Sequence, residues 1–523
     1  MARREFIKSI SFSTAALTLP LSTFSCSVKR PKPNIIFILS DDVSYRDFSA
    51  TGQTKFTTPN IDRLASKGLV FSNAYSGSPE CAPSRASLMT GKHMGHCRIR
   101  ANRSVRGQEH LLKDDITIAE VLKNAGYKTG FIGKWGIGLP GTEGVPNKKG
   151  FDYSYGFYDQ ARAHTFYPDY LMENDKKVVL HANHGFNMDR VYKYNSRPVN
   201  NIDDVKNKYV NGKLVADGVN NPAEVLNSED LFQQSALNFI RESKRNPFFL
   251  YYATQLPHGP VITPDLGEFE NKDWSLKNKE WAAMMKHLDD GVGKMIAALE
   301  EEGILDNTII FFAGDNGYSQ HGYFGRKRWE DDPLFKNKGP WPKGKFTCTH
   351  EGALRVPLFV YGKGKIKPGI SDHVCALYDF FPTAADLADA DSPETDGISL
   401  LPILTGNRSK QQKHEYLYWE NGTWSPHAQS VRIRNWWAFR SHPDEPVQLF
   451  DMNNDIQCEN NLADSHHEII EEVKKIFRKE HTDSEWYINP GESKSDIEEK
   501  RKKATLEGSL QIPVRANSTF TKK

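Results

Sequence analysis

Two carboxylates stand side by side at Asp41-Asp42, and a carboxylate and an amide do so at Asp315-Asn316. Elsewhere lie Cys81 in Cys81-Ala82-Pro83-Ser84-Arg85, Lys134 in Gly133-Lys134-Trp135, and His258 in Pro257-His258. Carboxylates with an amide oxygen suit a hard cation such as calcium or magnesium and suit copper or zinc poorly. Pro83 fits a first helical turn, which puts residue 81 at a helix N-terminus, where backbone N–H groups and the dipole favour negative charge. A histidine with an unshifted pKa can give a proton near neutral pH. Taken singly, each has a plainer account. Asp41-Asp42 reads as a turn or cap pair, Cys81 as a small buried thiol, and His258 as a satisfied core histidine.

The elements that must position them change that balance. Short apolar, β-rich runs at Ile35–Leu39, Lys128–Ile132, Phe248–Tyr252, Thr308–Phe312 and Val356–Tyr361 read as buried strands. Helical patterns at Pro59–Lys67, Ile116–Asn124 and Trp281–Glu301 lie between them, each closed by a glycine. The expected fold is α/β, a large mostly parallel sheet sandwiched by helices. Asp41 and Asp42 follow the first run and Lys134 the second, while Thr254 and His258 follow the third, and Asp315 and Asn316 the fourth. In open α/β sheets the site lies outside the carboxyl ends of the strands, so four such ends converge on one cleft. From about His414 four short interrupted runs and a helix near Glu468–Lys479 indicate a smaller C-terminal antiparallel α+β subdomain. The expected division is 34–410 for the catalytic body, 411–490 for the subdomain and 491–523 for a polar tail of disordered composition.

Lys+Arg 68 against Asp+Glu 66 gives a net charge of +2, without the basic asymmetry of a nucleic-acid partner. Arg3-Arg4-Glu5-Phe6-Ile7-Lys8 and the weakly apolar run after it read as a twin-arginine export signal over 1–26, with a linker over 27–33. That run is too short to span a bilayer permanently. Cys26 stands where a lipoprotein would be cleaved and acylated, and a signal without lipid is the alternative. Export would be periplasmic or to the outer surface, with the membrane touched only through such a lipid. The six cysteines are scattered with no CxxC pair, which indicates neither a zinc cluster nor a disulfide scaffold.

The run Cys81-Ala82-Pro83-Ser84-Arg85-Ala86-Ser87-Leu88-Met89-Thr90-Gly91 resembles the signature of the type I sulfatases, in the alkaline phosphatase superfamily. Further matching stretches are Asn34–Asp42, Thr58–Ala65, Gly133-Lys134-Trp135, Pro257-His258, Gly314–Gly317 and Glu351–Pro357. The resemblance implies that a formylglycine-generating enzyme converts Cys81 to formylglycine. It also implies one calcium ion on Asp41, Asp42, Asp315, Asn316 and residue 81. By the same resemblance Arg85 holds the nucleophile, Lys134 and Lys345 contact sulfate, and His258 serves the leaving oxygen. A hydroxyl of the hydrated aldehyde attacks sulfur, and the second hydroxyl later expels sulfate.

Two positions depart from the family pattern. Many members carry His where this chain has Gly136, which leaves the base for sulfate release unassigned. The lysine before Glu351 lies one residue upstream of its expected place, so Lys343 competes with Lys345. For substrate, Arg162 and His164 in 161–167 and His321 in 320–326 mix cations with aromatics, as a sulfated sugar requires. Ordinary surface loops look the same. Two rivals differ in testable ways: a two-zinc phosphatase or phosphodiesterase of the superfamily needs more histidines at the strand ends, and an inactive sugar-binding relative has no need of the Cys81–Arg85 run.

Overall fold

A computed structural model describes residues 32–160, 162–183, 208–211, 213–215, 225–259, 261–319, 331–421 and 426–506. The twin arginines, Cys26 and the whole of 320–326, His321 included, lie outside them. The chain runs through β1 (Asn34–Ser40), α1 (Pro59–Lys67), β2 (Leu69–Phe71), β3 (Ala74–Tyr75), α2 (Cys81–Thr90), α3 (Ile118–Asn124), β4 (Lys128–Lys134) and β5 (Tyr153–Phe157). It continues with β6 (Tyr170–Glu173), β7 (Lys176–Val179), β8 (Lys208–Val210), β9 (Lys213–Val215), α4 (Ser228–Ser243), β10 (Phe248–Ala253), α5 (Leu276–Glu301) and β11 (Thr308–Gly314). After these come β12 (Leu358–Tyr361), β13 (Gly369–Ser371), β14 (Cys375–Ala376), α6 (Phe380–Leu387) and α7 (Leu401–Leu404).

Ten strands form one sheet in the order β13-β2-β12-β11-β1-β10-β4-β5-β6-β7. Its centre, β11-β1-β10-β4-β5, is parallel, with Phe37 opposite Phe311 on one side and Tyr251 on the other. Side chains alternate across a strand, so Ile35, Phe37 and Leu39 enter one core while Ile36 and Ile38 enter the other. The first core is closed by α2, α3 and α6 through Ala86, Leu122 and Phe381. The second is closed by α1, α4 and α5 through Leu64, Phe239 and Leu288. Burial on both faces is why the central strands read as unbroken apolar runs. The run at Val356–Tyr361 departs from a parallel arrangement: β12 pairs antiparallel with both β11 and β2, and β6 and β7 extend the other flank antiparallel.

The subdomain is a four-stranded antiparallel sheet, β15 (Tyr416–Glu420), β16 (Gln429–Ile433), β17 (Trp436–Arg440) and β18 (Gln448–Asp451), followed by α8 (His467–Glu480). One face packs Tyr418, Val431 and Leu449 on Val473 and Phe477 of α8. The other packs Trp419, Trp437 and Phe450 on Tyr75 and Leu354 of the body. The polar tail is partly ordered: α9 (Lys494–Leu506) buries Ala504, and Lys500 Nζ donates to the Ser484 and Tyr487 carbonyls at 2.8 and 2.7 Å. Its composition suggested disorder because it has almost no apolar face; carbonyl and carboxylate partners supply the anchorage instead.

Candidate active site

The sequence β11-β1-β10-β4 in the sheet places four carboxyl ends in a row, and the polar groups after them meet. Asp41 and Asp42 leave β1, Lys134 ends β4, and Asp315-Asn316 leaves β11. Asp42 has φ 62°, a left-handed conformation that aspartate tolerates better than bulkier residues. Its N–H donates to Asp315 Oδ1 at 3.1 Å, and Asn316 Nδ2 donates to Asp42 Oδ1 at 2.8 Å. These bonds lock the ends of β1 and β11 together.

Cys81 opens α2, with Glu80 as N-cap residue in extended conformation, and every residue of this helix is buried. The Ala82 N–H, in the first turn where no helical carbonyl can accept it, donates to Asn102 Oδ1 at 2.9 Å. Glu80 in turn accepts from the Asn102 N–H at 2.9 Å and from Asn421 Nδ2 at 2.6 Å, so both the body and the subdomain fix the helix start. The Cys81 thiol donates to Asp41 Oδ1 at 3.4 Å, and Lys345 Nζ donates to its sulfur at 2.9 Å. Arg85, one turn on, reaches Asp315 Oδ2 at 2.8 Å and donates to the Lys134 carbonyl at 2.7 Å. Lys134 Nζ lies 2.5 Å from Asp41 Oδ2, and Lys345 also pairs with Asp42. Lys345 therefore occupies the lysine position beside residue 81, whereas Lys343 lies within electrostatic reach of Cys458.

Burial and mutual charge set the protonation states. Burial alone would raise Asp41, but Lys134, His258, Arg85 and Lys345 hold it well below the usual carboxylate range. Asp315 is pushed up to about 6, by burial first and by Asp41 second, despite Arg85. The Cys81 thiol is pushed far up by burial and by Asp41. Burial lowers His258 to about 4, so the expectation of an imidazole titrating near neutrality is not met. Its Nδ1 faces the Gly259 carbonyl at 2.6 Å, and its Nε2 lies 3.4 Å from Asp42 Oδ2.

The oxygen-rich donor set fits a hard cation. Asn316 Oδ1 is buried without a hydrogen-bond partner among the described residues, which is costly unless something electropositive meets it. Ligand atoms of Asp41, Asp42, Cys81 and His258 lie within 4.8 Å of one another. Of the two described substrate candidates, His164 comes to the site: its ring stacks on His258 at 4.4 Å, and its Nε2 is buried with no hydrogen-bond partner among the described residues. Arg162 instead pairs with Asp169 and lies 3.9 Å over the Tyr170 ring.

Sequence reasoning passed over residues that hold the site together. Glu351 pairs with both Arg355 and Arg432, and it accepts from Tyr75, joining the loop after Lys345 to β16. The run Glu351–Pro357 carried that signal, read there only as part of a resemblance. Glu80 and Asn102 gave no signal beyond ordinary polar types.

A family model described as Sulfatase matches residues 33–390, and one described as N-sulphoglucosamine sulphohydrolase, C-terminal, matches 344–483. The chain is 29% identical to an N-acetylgalactosamine-6-O-sulfatase of Bacteroides thetaiotaomicron, over 85% of this chain and 92% of that one. It is 30% identical to the N-acetylgalactosamine-6-sulfatase of Homo sapiens, over 72% of this chain and 66% of that one. Among solved structures it resembles Ps i-CgsB in complex with k-i-k-neocarrahexaose, with TM-score 0.68 and 27% identity, covering 92% of this chain and 100% of that one.

Proposed function

Because the chain belongs to the sulfatase family, we propose that its sulfuric ester hydrolase chemistry centres on residue 81, with Cys81 converted to formylglycine and one calcium ion alongside. The observation carrying this reading is the place of Cys81, which opens a fully buried helix with its sulfur 3.4 Å from Asp41 Oδ1 and 2.9 Å from Lys345 Nζ, among the carboxylates and cations of the strand ends. Asp41, Asp42, Asp315 and Asn316 would hold calcium. When present, formylglycine would supply a hydroxyl nucleophile and calcium would offset the charge that repels it from a sulfate ester.

The remaining side chains have tasks of their own. Arg85 fixes Asp315 and the end of β4, and so sets where residue 81 stands relative to the carboxylates. Lys134 and Lys345 bring two ammonium groups to sulfate oxygens. His258, neutral when the site is empty of substrate, gains a proton more readily as an anionic ester approaches, and Nε2 then serves the leaving oxygen. His164 backs that ring and offers an unpartnered Nε2 to a sugar hydroxyl.

The substrate is a sulfated glycan. Among such glycans we infer a 6-sulfated N-acetylgalactosamine or sulfated galactose unit, supported by the relatives named N-acetylgalactosamine-6-sulfatases and by the k-i-k-neocarrahexaose in the structural neighbour's complex. Export agrees with this, as a glycan is met outside the cytoplasm. No described helix is long and apolar enough to cross a membrane. A formylglycine-generating enzyme would act before export, and Cys26 would provide any lipid. The test is release of inorganic sulfate from N-acetylgalactosamine 6-sulfate by enzyme made with a converting enzyme and calcium. Release from a phosphate ester and none from any sulfated sugar would overturn the reading.

A further inference from the structure

Gln160 lies just after β5 and is 5% exposed, yet neither its Oε1 nor its Nε2 has a hydrogen-bond partner among the described residues. Its backbone is well held: the N–H donates to Gln108 Oε1 at 2.8 Å, and Gln108 Nε2 reaches back to the Gly136 carbonyl at 3.4 Å. The side chain fills the space that a residue-136 side chain would take. A Cβ at position 136 would stand 2.4 Å from Gln160 Oε1 and 3.9 Å from the Cβ of Ala82, the neighbour of Cys81. Position 136 is where many sulfatases carry a histidine.

A buried primary amide with nothing to bond costs free energy and adds nothing to the fold. Such a group persists where a polar ligand completes it. Gly136, held at φ 76°, leaves the opening, and β5 delivers an amide into it from the far side of β4. We propose that Gln160 is a sulfate-contacting residue of this active site, its Nε2 donating to a sulfate oxygen beside residue 81 in place of the missing imidazole. This rests on the sulfatase reading. An amide does not titrate, so Gln160 contributes by holding the anion and takes no proton from it.

The decisive comparison is calorimetric binding of inorganic sulfate to the converted, calcium-loaded enzyme, wild type against Gln160→Met. Methionine keeps the approximate volume and removes both polar atoms. A hydrogen bond to an anion is worth about tenfold or more in affinity, so sulfate should bind at least about tenfold more weakly to the variant. Its thermal midpoint should stay the same or rise, because an unsatisfied amide has been removed. Equal sulfate affinity in the two proteins, or no sulfate binding to an active wild type, overturns the inference and leaves the sulfatase reading standing. A lower midpoint in Gln160→Met also overturns it, since the amide then has a structural partner. Absence of sulfate release by the wild type would instead strike at the reading beneath it.

Discussion

At the scale of single residues, the site depends on groups that are buried and mutually charged, so replacing one exposes what the others need. Cys81→Ala should abolish sulfate release with little change in thermal midpoint, and Cys81→Ser should be nearly inactive in a host that converts only cysteine. Sulfate-release assays beside a melting curve check both, and full turnover by either variant would exclude the formylglycine route. His258→Ala should cost about 10²–10⁴-fold on a sugar sulfate, whose alkoxide leaves poorly, and far less on an activated aryl sulfate. Equal losses on both substrates would make His258 a sulfate-binding group. Gly136→His, which restores the common family residue, should lose activity here. Its Cβ would meet Gln160 Oε1 at 2.4 Å, on a backbone that already sits at φ 76°.

The convergence of Cys81, Arg85, Lys134, Asp41-Asp42 and Asp315-Asn316 was legible because each stands in a run with its own local signature. Gln160 was not. Its meaning comes from a packing relation across two strands, and nothing in its neighbours announces an unpartnered amide. His258 shows another limit, since its position follows from the strand end but its depressed pKa follows from a desolvation that only the folded structure reveals.

At the scale of elements, the strand ends carry the charge and the helices carry the orientation. Asp315→Ala would leave the buried Arg85 guanidinium only its longer 3.5 Å contact with Asp41, a loss of up to about 3–5 kcal/mol for breaking a buried pair. It should therefore abolish activity and also lower the melting temperature clearly. A variant that melts like the wild type would show that the pair does not fix α2 to β11. A second expectation concerns the polar groups around the end of α2 and the subdomain. The hydrogen bond that His96 donates to Asp396 raises His96, while His414 is raised because Asp379 outweighs its burial. Groups raised in the folded state stabilise it fully below their ordinary value and cease to do so as pH climbs through the raised one. Thermal midpoints should accordingly fall as pH rises above the free-histidine value of about 6.5. His414→Asn should flatten part of that slope, and an unchanged slope would remove the Asp379 pair from the account.

Of the central strands, β1, β4, β10 and β11 were readable to within one or two residues, since double-sided burial leaves unbroken apolar runs, whereas β5 was not. The flanking strands β6, β7 and β13 were not, because short edge strands with polar faces resemble loops. α4 carries helical spacing in Phe232, Ala236, Phe239 and Ile240, a weaker signal than that of α1.

At the scale of the whole molecule, the proposal of a bound cation draws on three close carboxylates, one of them pushed up to about 6, and on Asn316 Oδ1, which has no hydrogen-bond partner among the described residues. Metal analysis should find about one calcium per chain, and added calcium should raise the melting temperature by mass action, worth about 2.7 kcal/mol at a hundredfold excess over Kd. Two zinc ions per chain would favour the phosphatase reading. The measurement that bears most directly on the central claim is the mass of the peptide containing residue 81, taken from enzyme already shown to release sulfate. The account predicts the aldehyde mass of formylglycine, with a carbonyl that reacts with a hydrazide and no thiol to alkylate. A fully active preparation in which residue 81 is intact, alkylatable cysteine would contradict it.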